Sequence, residues 1–580
     1  MLDKLRLRVA SNRSGLIELS ILAIIVGIIS AIIVIAFRLI IEGIQFQFLP
    51  GGDSENYEAL PTWLLFTLPT IGGICLGLLF QALKPEQRSV GVVHTIERLE
   101  YHQGRLPLAN FLAQFLGAAV AIVSGQSVGR EGPSIHFGAA GASLFGQTLG
   151  LPNNAIRILV GSGIAAAIAA SFNTPIAGII FTVEVIMLEY ISFSLLPIIL
   201  SAVIATVLSQ AVFGDGALLH MPNMVSISHA ELPWVLVTGI VIGLLGAAFI
   251  RLLLFFTALG TRWPIWLRLS LAGTFTGACA VIAPQIMSIG YDTVIQAMSG
   301  EIILASLLII VLIKLVATTA GLGLGIPGGL IGPTVFIGAA AGGAMGMLAM
   351  LLSPDLVNHS GTYALLGIGA MMAAVIQAPL AALLTMFELT QNPQILLPGL
   401  LVVAVAHLTT SHLFKQPAVF RSLLVARGLD YKNDPSTQTL RRISVLKAMD
   451  THVSSTAAIS SRDELEKILA DDIRWILVKG DNERNLMPAV DILSYLSRET
   501  ETDKVDLSAI PATRLRSRLI SKQATVQDAF ELLESTGTEA LHIGVVHKGQ
   551  LQIAGILTKD DIYAYRLPTA LRKTSYDKET

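Results

Sequence analysis

The sequence predicts an all-α membrane protein that crosses the bilayer many times, built on an internal repeat and followed by a small α/β domain. Three observations carry that prediction. The 580 residues are 53% hydrophobic, with a mean hydropathy of +0.68, which is too apolar for a water-soluble protein of this size. The charge is uneven, with 43 of the 80 Asp, Glu, Lys and Arg residues in positions 431–580. And the chain repeats itself. Gly132-Pro133-Ser134-Ile135-His136-Phe137-Gly138-Ala139-Ala140 returns as Gly332-Pro333-Thr334-Val335-Phe336-Ile337-Gly338-Ala339-Ala340. Pro175 stands nine residues before Glu184, and Pro379 nine before Glu388. Gly/Pro-broken apolar segments at matching positions of two halves are the pattern of a transporter fold with its substrate site near the bilayer midplane.

Residues 1–14 carry Lys4, Arg6, Arg8 and Arg13 ahead of an apolar run at 16–41. That run is too long for a signal-peptide core and long enough to span. Further apolar segments fall at 62–83, 107–128, 156–171, 174–190, 192–213, 232–258, 265–283, 303–320, 327–352, 362–376, 378–390 and 395–414. Several are too short for a core of ~30 Å. Pro133, Pro175, Pro197, Pro327, Pro333 and Pro379 are expected to split them into re-entrant half-helices. Irregular backbone at that depth is tolerated only inside protein or beside a cavity. Small residues from Gly138 to Gly146 and from Gly338 to Gly346 suit close helix packing. The N-terminal segment 1–14 is expected in the cytoplasm, and Arg421, Arg427, Lys432, Arg441 and Arg442 place the end of the 15–430 membrane domain there too. The number of net crossings should then be even.

The tail changes grammar. Apolar strand-like runs at 475–478 and 541–546 each follow an amphipathic helix pattern, at 465–469 and 526–533, and lead to acidic turns at Asp491 and Asp561. This predicts two α/β units, 445–500 and 508–575.

A helix N-terminus offers unpaired N–H groups and partial positive charge, so converging termini bind an anion without a full cation. That suits a pathway that must also release the ion. The Gly-rich, Pro-primed starts at 129–133 and 325–333 are the candidates. Glu131 stands among them, in Gly129-Arg130-Glu131-Gly132-Pro133. A carboxylate there mimics the anion and blocks it, and protonation would release it. The plain alternative is a salt bridge with Arg130. Glu184 and Glu388 lie late in their apolar segments, where capping of neighbouring elements competes with any transport role. Lys314 is expected to snorkel or pair. Cys75 and Cys279 read as small core residues. No catalytic triad, metal spacing or phosphate loop is legible, and a net charge of −2 gives no sign of a nucleic-acid partner. A soluble enzyme is excluded.

These residues resemble a family. Gly129-Arg130-Glu131-Gly132-Pro133, Ser171 to Gly178 through Glu184, Gly328 to Pro333, and Ala373 to Pro379 through Phe387-Glu388-Leu389-Thr390 are similar, in order, to the motifs of the CLC chloride channels and chloride/proton antiporters. The resemblance covers roughly 15–430 and implies a homodimer with one anion pathway per subunit and an inverted repeat in each. It implies that Glu131 is the outer gate, and that Arg130, Gly132 and the amides of Leu330 and Ile331 belong to the anion site. The tail resembles a pair of CBS domains. Its Thr558-Lys559-Asp560-Asp561 is similar to the ribose-binding element of such pairs, which implies an adenine nucleotide near Thr558 and Asp561, or else a dimerisation scaffold.

Three positions depart from the family pattern. Val90, next to Ser89 and Gly91, stands where a serine commonly binds the central anion. Phe420 replaces the inner tyrosine, which keeps the bulk and loses the hydroxyl. Val185 follows Glu184 where antiporters commonly carry an internal proton-transfer glutamate. Valine relays no proton, so the expectation is a Glu131-gated, voltage- or pH-dependent chloride channel in a bacterial inner membrane. The alternatives are a coupled chloride/proton antiporter, with Glu184 or water carrying the proton, and a nucleotide-regulated protein of other anion selectivity or with little transport of its own.

Overall fold

This computed structural model describes residues 9, 15–52, 55–188, 192–215, 227–357, 359–429, 439–479, 484–498, 503–547 and 550–566. Lys4, Arg6, Arg8, Arg13, Lys432 and the last residues of the 508–575 unit lie outside them. The chain divides into two compact units, one of Leu19–Gln147 with Arg157–Tyr431 and one centred on the residues from Lys432 onward.

The first unit is helical. Among the described residues, nine helices are long and apolar enough to cross a membrane: Leu16–Phe48, Thr62–Ala82, Asn153–Phe172, Leu195–Phe213, His229–Gly260, Ile265–Ile282, Leu304–Leu324, Ile331–Leu352 and Pro393–Leu413. Leu108–Val123, Pro175–Met187, Gly361–Val375 and Pro379–Thr390 are apolar but shorter. The hydrophobic window of Asn153–Phe172 is entirely buried, so this span is core and not lipid-facing. The expected breaks appear where proline opens a helix, at Pro175 and Pro379. Pro197 does not break its segment. It lies inside Ser192–Phe213, close enough to the start that its ring removes one early backbone bond and leaves the rest of the helix intact. Cys75 is not a core residue either. It is exposed, on the face of Thr62–Ala82 opposite the buried Gly72, Gly73, Leu76 and Gly77.

The two halves pack alike. A Cβ at Gly138 would lie 2.1 Å from the Gly163 carbonyl oxygen, and one at Gly163 2.2 Å from that of Gly138. The second half repeats this with Gly338 and Gly367, at 2.4 and 2.0 Å. Thus Glu131–Thr148 crosses Asn153–Phe172 as Ile331–Leu352 crosses Gly361–Val375, with backbones in direct contact. Three short helices, Gly91–Tyr101, Tyr291–Ser299 and Val419–Ala426, fall outside the apolar segments.

The second unit holds a six-stranded sheet in the order β1-β3-β4-β6-β7-β8. Its strands are β1 Val453–Ala457, β3 Trp475–Lys479, β4 Arg484–Pro488, β6 Leu515–Ser521, β7 Ala540–His547 and β8 Gln550–Thr558. β1 and β3 are parallel and β3 and β4 antiparallel; β6, β7 and β8 repeat that pattern, and β4 joins β6 antiparallel. β2 (Ile459–Ser461) and β5 (Lys504–Asp506) form a separate pair. Each copy has its own core, around Leu465, Ile476 and Ile492 in the first and around Val526, Leu541 and Leu557 in the second. The helices Arg462–Ala470 and Val526–Thr536 open on Ser461 and Thr525, whose hydroxyls accept from the third helical N–H.

Candidate anion pathway

The site begins with two matched turns. Val128 and Gly328 each close a tight turn on the carbonyl two residues back. Gly129 N–H then donates to the Gly329 carbonyl, and Gly329 N–H to the Gly129 carbonyl, at 2.8 Å each. This reciprocal pair relates the halves by a local twofold and sets the starts of Glu131–Thr148 and Ile331–Leu352 side by side. The approach requires glycine: a Cβ on Gly132 would be 2.6 Å from the Gly329 Cα.

Glu131 is 1% exposed, and its carboxylate reaches across to the other half. Oε2 accepts from Gly332 N–H at 3.1 Å and Oε1 accepts from Tyr291 Oη at 2.6 Å. A negative group therefore sits at the start of the Ile331–Leu352 helix, where the orphan N–H groups are. A Cβ on Gly332 or Gly129 would lie 2.8 or 2.3 Å from Oε2, so both glycines make room for the carboxylate. The salt bridge between Glu131 and Arg130 is not formed. Arg130 turns to Glu42, Nη1 to Oε1 at 3.1 Å, and stacks over the Tyr291 ring with its centroid 5.6 Å away.

A separate cavity of about 170 Å³ is lined by Val90, Gly91, Gln114, Leu330 and Phe420 among others. This brings together four of the positions read from the sequence. Ser89, Ile331, Gly132 and Arg130 are not in its lining. The Ser89 carbonyl is held by the Asn110 amide at 2.9 Å, and Ile331 is buried within its own helix. Three cations also line the cavity: Arg88, Arg268 and Arg427. Arg88 is tied to the carbonyls of Leu83 and Gln81, and Arg427 to Glu97 at 3.5 Å. The buried Arg268 Nε and Gln114 Oε1 have no hydrogen-bond partner.

Glu184 and Glu388 form a reciprocal pair. Glu184 accepts from the N–H groups of Leu380 and Ala381 at 3.3 and 2.8 Å. Glu388 accepts from those of Ile176 and Ala177 at 2.9 and 2.7 Å. Each carboxylate thus caps the helix that opens the other half's matching segment. Val185 lies beside Glu184 and is buried. Lys314 does not snorkel. It is fully buried, and its ammonium donates to the carbonyls of Ile286, Ser288 and Ile289 at 2.9, 2.9 and 3.4 Å. In the tail, Asp561 Oδ2 accepts from Thr558 N–H at 2.8 Å and from its hydroxyl at 2.7 Å, closing the start of Lys559–Arg566. Among the described residues, no group of three His, Cys, Asp or Glu is placed to hold a metal.

A family model described as voltage gated chloride channel matches residues 72–411. The chain belongs to the CLC family. A voltage-gated ClC-type chloride channel, ClcB, of Escherichia coli O81 (strain ED1a) is 31% identical over 410 residues, 69% of this chain and 97% of that protein. A ClcB-like protein of Ralstonia nicotianae is 32% identical over 418 residues, 70% of this chain and 96% of its own length. A slow cyanobacterial Cl⁻/H⁺ antiporter has the same fold, with a TM-score of 0.63 at 23% identity over 72% of this chain and 99% of its own. So does a eukaryotic CLC transporter, with 0.62 at 20% over 94% and 98%. A CLC-type fluoride/proton antiporter gives 0.59 at 23% over 68% and 96%. The membrane unit is a CLC anion-transport domain.

Tyr291, Gln114, Arg88 and Arg268 were not singled out from the sequence. Arg268 had a signal, since it is a charge within the apolar 265–283 segment, where ionisable residues are costly and commonly functional. Tyr291 had only the Gly290 before it, and its meaning comes from a contact 160 residues away.

Proposed function

We propose that this protein is a Glu131-gated chloride channel of the inner membrane, acting as a homodimer with one pathway per subunit and with its N-terminus and α/β tail in the cytoplasm. The reading rests on the Glu131 carboxylate lying where an anion would lie, bonded to Gly332 N–H at the second half's helix start. An anion arriving there competes with the carboxylate. A proton on Glu131 removes the charge that holds the side chain, and the path opens. From the other side, the cavity between Val90, Gly91, Leu330 and Phe420 receives the ion, with the Leu330 and Ile331 amides and the arginines drawing it in.

Passive conduction is favoured over proton coupling by Val185 and by Glu184, whose two oxygens are both taken by backbone amides. The phenyl of Phe420 and the side chain of Val90 offer no hydroxyl, so selectivity rests on backbone dipoles, and other small halides should compete with chloride. The tail is proposed as a regulatory unit with an adenine nucleotide at Thr558 and Asp561, since Asp561 Oδ1 makes neither of the capping bonds. The deciding experiment is chloride efflux from liposomes of purified protein with simultaneous recording of external pH. Efflux without proton movement is expected. Stoichiometric proton uptake driven uphill by a chloride gradient would replace the channel with an antiporter. A Glu131→Gln protein should conduct at every pH, and an unchanged pH profile would remove Glu131 from the gate.

A further inference from the structure

We propose that Tyr291 is a positioning residue of the outer gate, a latch whose phenol holds the Glu131 carboxylate closed. This rests on Glu131 being the gate. The phenol donates to Oε1 at 2.6 Å, shorter than the Gly332 bond to Oε2 at 3.1 Å. Both partners are buried, Tyr291 at 7% and Glu131 at 1% exposure. A short O–H···O⁻ bond in such a place is among the stronger hydrogen bonds a protein makes. It is also the side-chain donor that Arg130, turned to Glu42, does not supply.

The latch is clamped from three directions. Behind it, Lys314 grips the carbonyls of Ile286, Ser288 and Ile289, fixing a segment that carries positive φ at Ser288 (50°) and Gly290 (78°). At Gly290 a Cβ would meet the Phe336 ring at 2.7 Å, so the chain passes there only as glycine. Below it, Glu55 Oε2 accepts from the Tyr291 and Asp292 N–H groups at 2.7 and 3.2 Å, holding the helix start. Over its face stands the Arg130 guanidinium. A tyrosine fixed this firmly costs little further ordering when it bonds Glu131.

The arrangement also reports protonation. As a carboxylate, Glu131 accepts both bonds. A proton turns one acceptor into a donor, and the two bonds cannot both survive unaltered. The charged and titratable groups around this pair are Arg130, Arg38, Glu42, Glu55, Glu58, Asp292 and Lys314, with Arg38 paired to the same Glu42 at 2.6 Å.

The test is chloride efflux from liposomes between pH 4 and 9 for wild type, Tyr291→Phe, Glu131→Gln and the double variant. Losing one charge-assisted bond should raise efflux on the closed, alkaline side by roughly tenfold and so alter the pH profile. In the Glu131→Gln background the same change should do nothing. A Tyr291→Phe profile that superimposes on wild type overturns the latch, and so does an equal effect in the Glu131→Gln background. If Glu131→Gln itself leaves the profile unchanged, the gate reading has failed instead. Chloride titration calorimetry at pH 8 gives a readout independent of flux: Tyr291→Phe and, more weakly, Glu55→Gln should bind chloride several-fold tighter because the carboxylate competes less. Unchanged affinity in both overturns the proposal.

Discussion

Replacing Glu184 or Glu388 by glutamine separates a structural carboxylate from a proton carrier. Each accepts two backbone N–H bonds at the start of a helix in the other half. A bond to a charged acceptor contributes ~1.5–3 kcal/mol, and a negative charge in a helix's first turn ~0.3–1 kcal/mol. Glutamine keeps one acceptor, loses the charge and points its NH₂ at the remaining N–H. Both side chains are half-buried, so the low end applies, and each substitution should cost about 2 kcal/mol. Glu388→Gln should cost slightly more, because both of its bonds are short while one of Glu184's is 3.3 Å. The assay is the thermal unfolding midpoint of the detergent-solubilised protein, read beside liposome efflux. Both variants should melt a few degrees early and still conduct. Glu184 would be a proton carrier instead of a cap if Glu184→Gln melted with the wild type while Glu388→Gln did not, or if Glu184→Gln abolished proton-linked transport at unchanged stability.

Arg268→Gln removes a cation from the cavity, and on the order of tenfold more chloride should be needed for half-maximal flux through that side at low salt. The effect should fade at several hundred millimolar salt; salt-independence would place Arg268 outside the path. Gly332→Ala puts a methyl 2.8 Å from Glu131 Oε2 and should raise resting leak. Gly132→Ala instead meets the Gly329 backbone at 2.6 Å and should lower the yield of folded protein; efflux traces and size-exclusion profiles separate the two. In the tail, burial and the neighbouring Arg484 push His542 down to about 4. The unfolded chain therefore binds a proton first, and stability should fall as pH drops from about 6.5 toward 4. Hydrogen exchange at the β6 and β7 amides should quicken over that window in wild type and less in His542→Gln.

The frame of the site was legible because its parts are local. A close-approach turn needs glycine, a helix start favours proline, and both leave letters in the sequence at 129–133 and 329–333. The tail's repeat was legible for a similar reason, since strand and helix periods are written residue by residue. The partners of the functional groups were not. Tyr291 meets Glu131 across 160 residues and Gly332 meets it across 201, and no periodicity encodes such contacts. Arg130 beside Glu131 suggested a neighbour pair, yet adjacent residues at a helix start point apart, and Glu42 on a distant helix takes the guanidinium. Lys314 was expected to snorkel or pair, and its actual partners stayed hidden because they are backbone carbonyls, which a sequence does not display. Ser89 missed the cavity by one residue, a shift that decides which side chain faces the turn.

The twofold at Gly129 and Gly329 has a consequence for polarity. Position for position, Gly129-Arg130-Glu131-Gly132-Pro133 faces Gly329-Leu330-Ile331-Gly332-Pro333. The backbone frame treats the two directions alike; the side chains do not. One arm carries an ionisable acid and the other an isoleucine. That mismatch, together with the arginines and Phe420 lining one cavity and Tyr291 bonding Glu131, makes the two directions unequal, and exchanging the residues at 131 and 331 should change the polarity of any rectification.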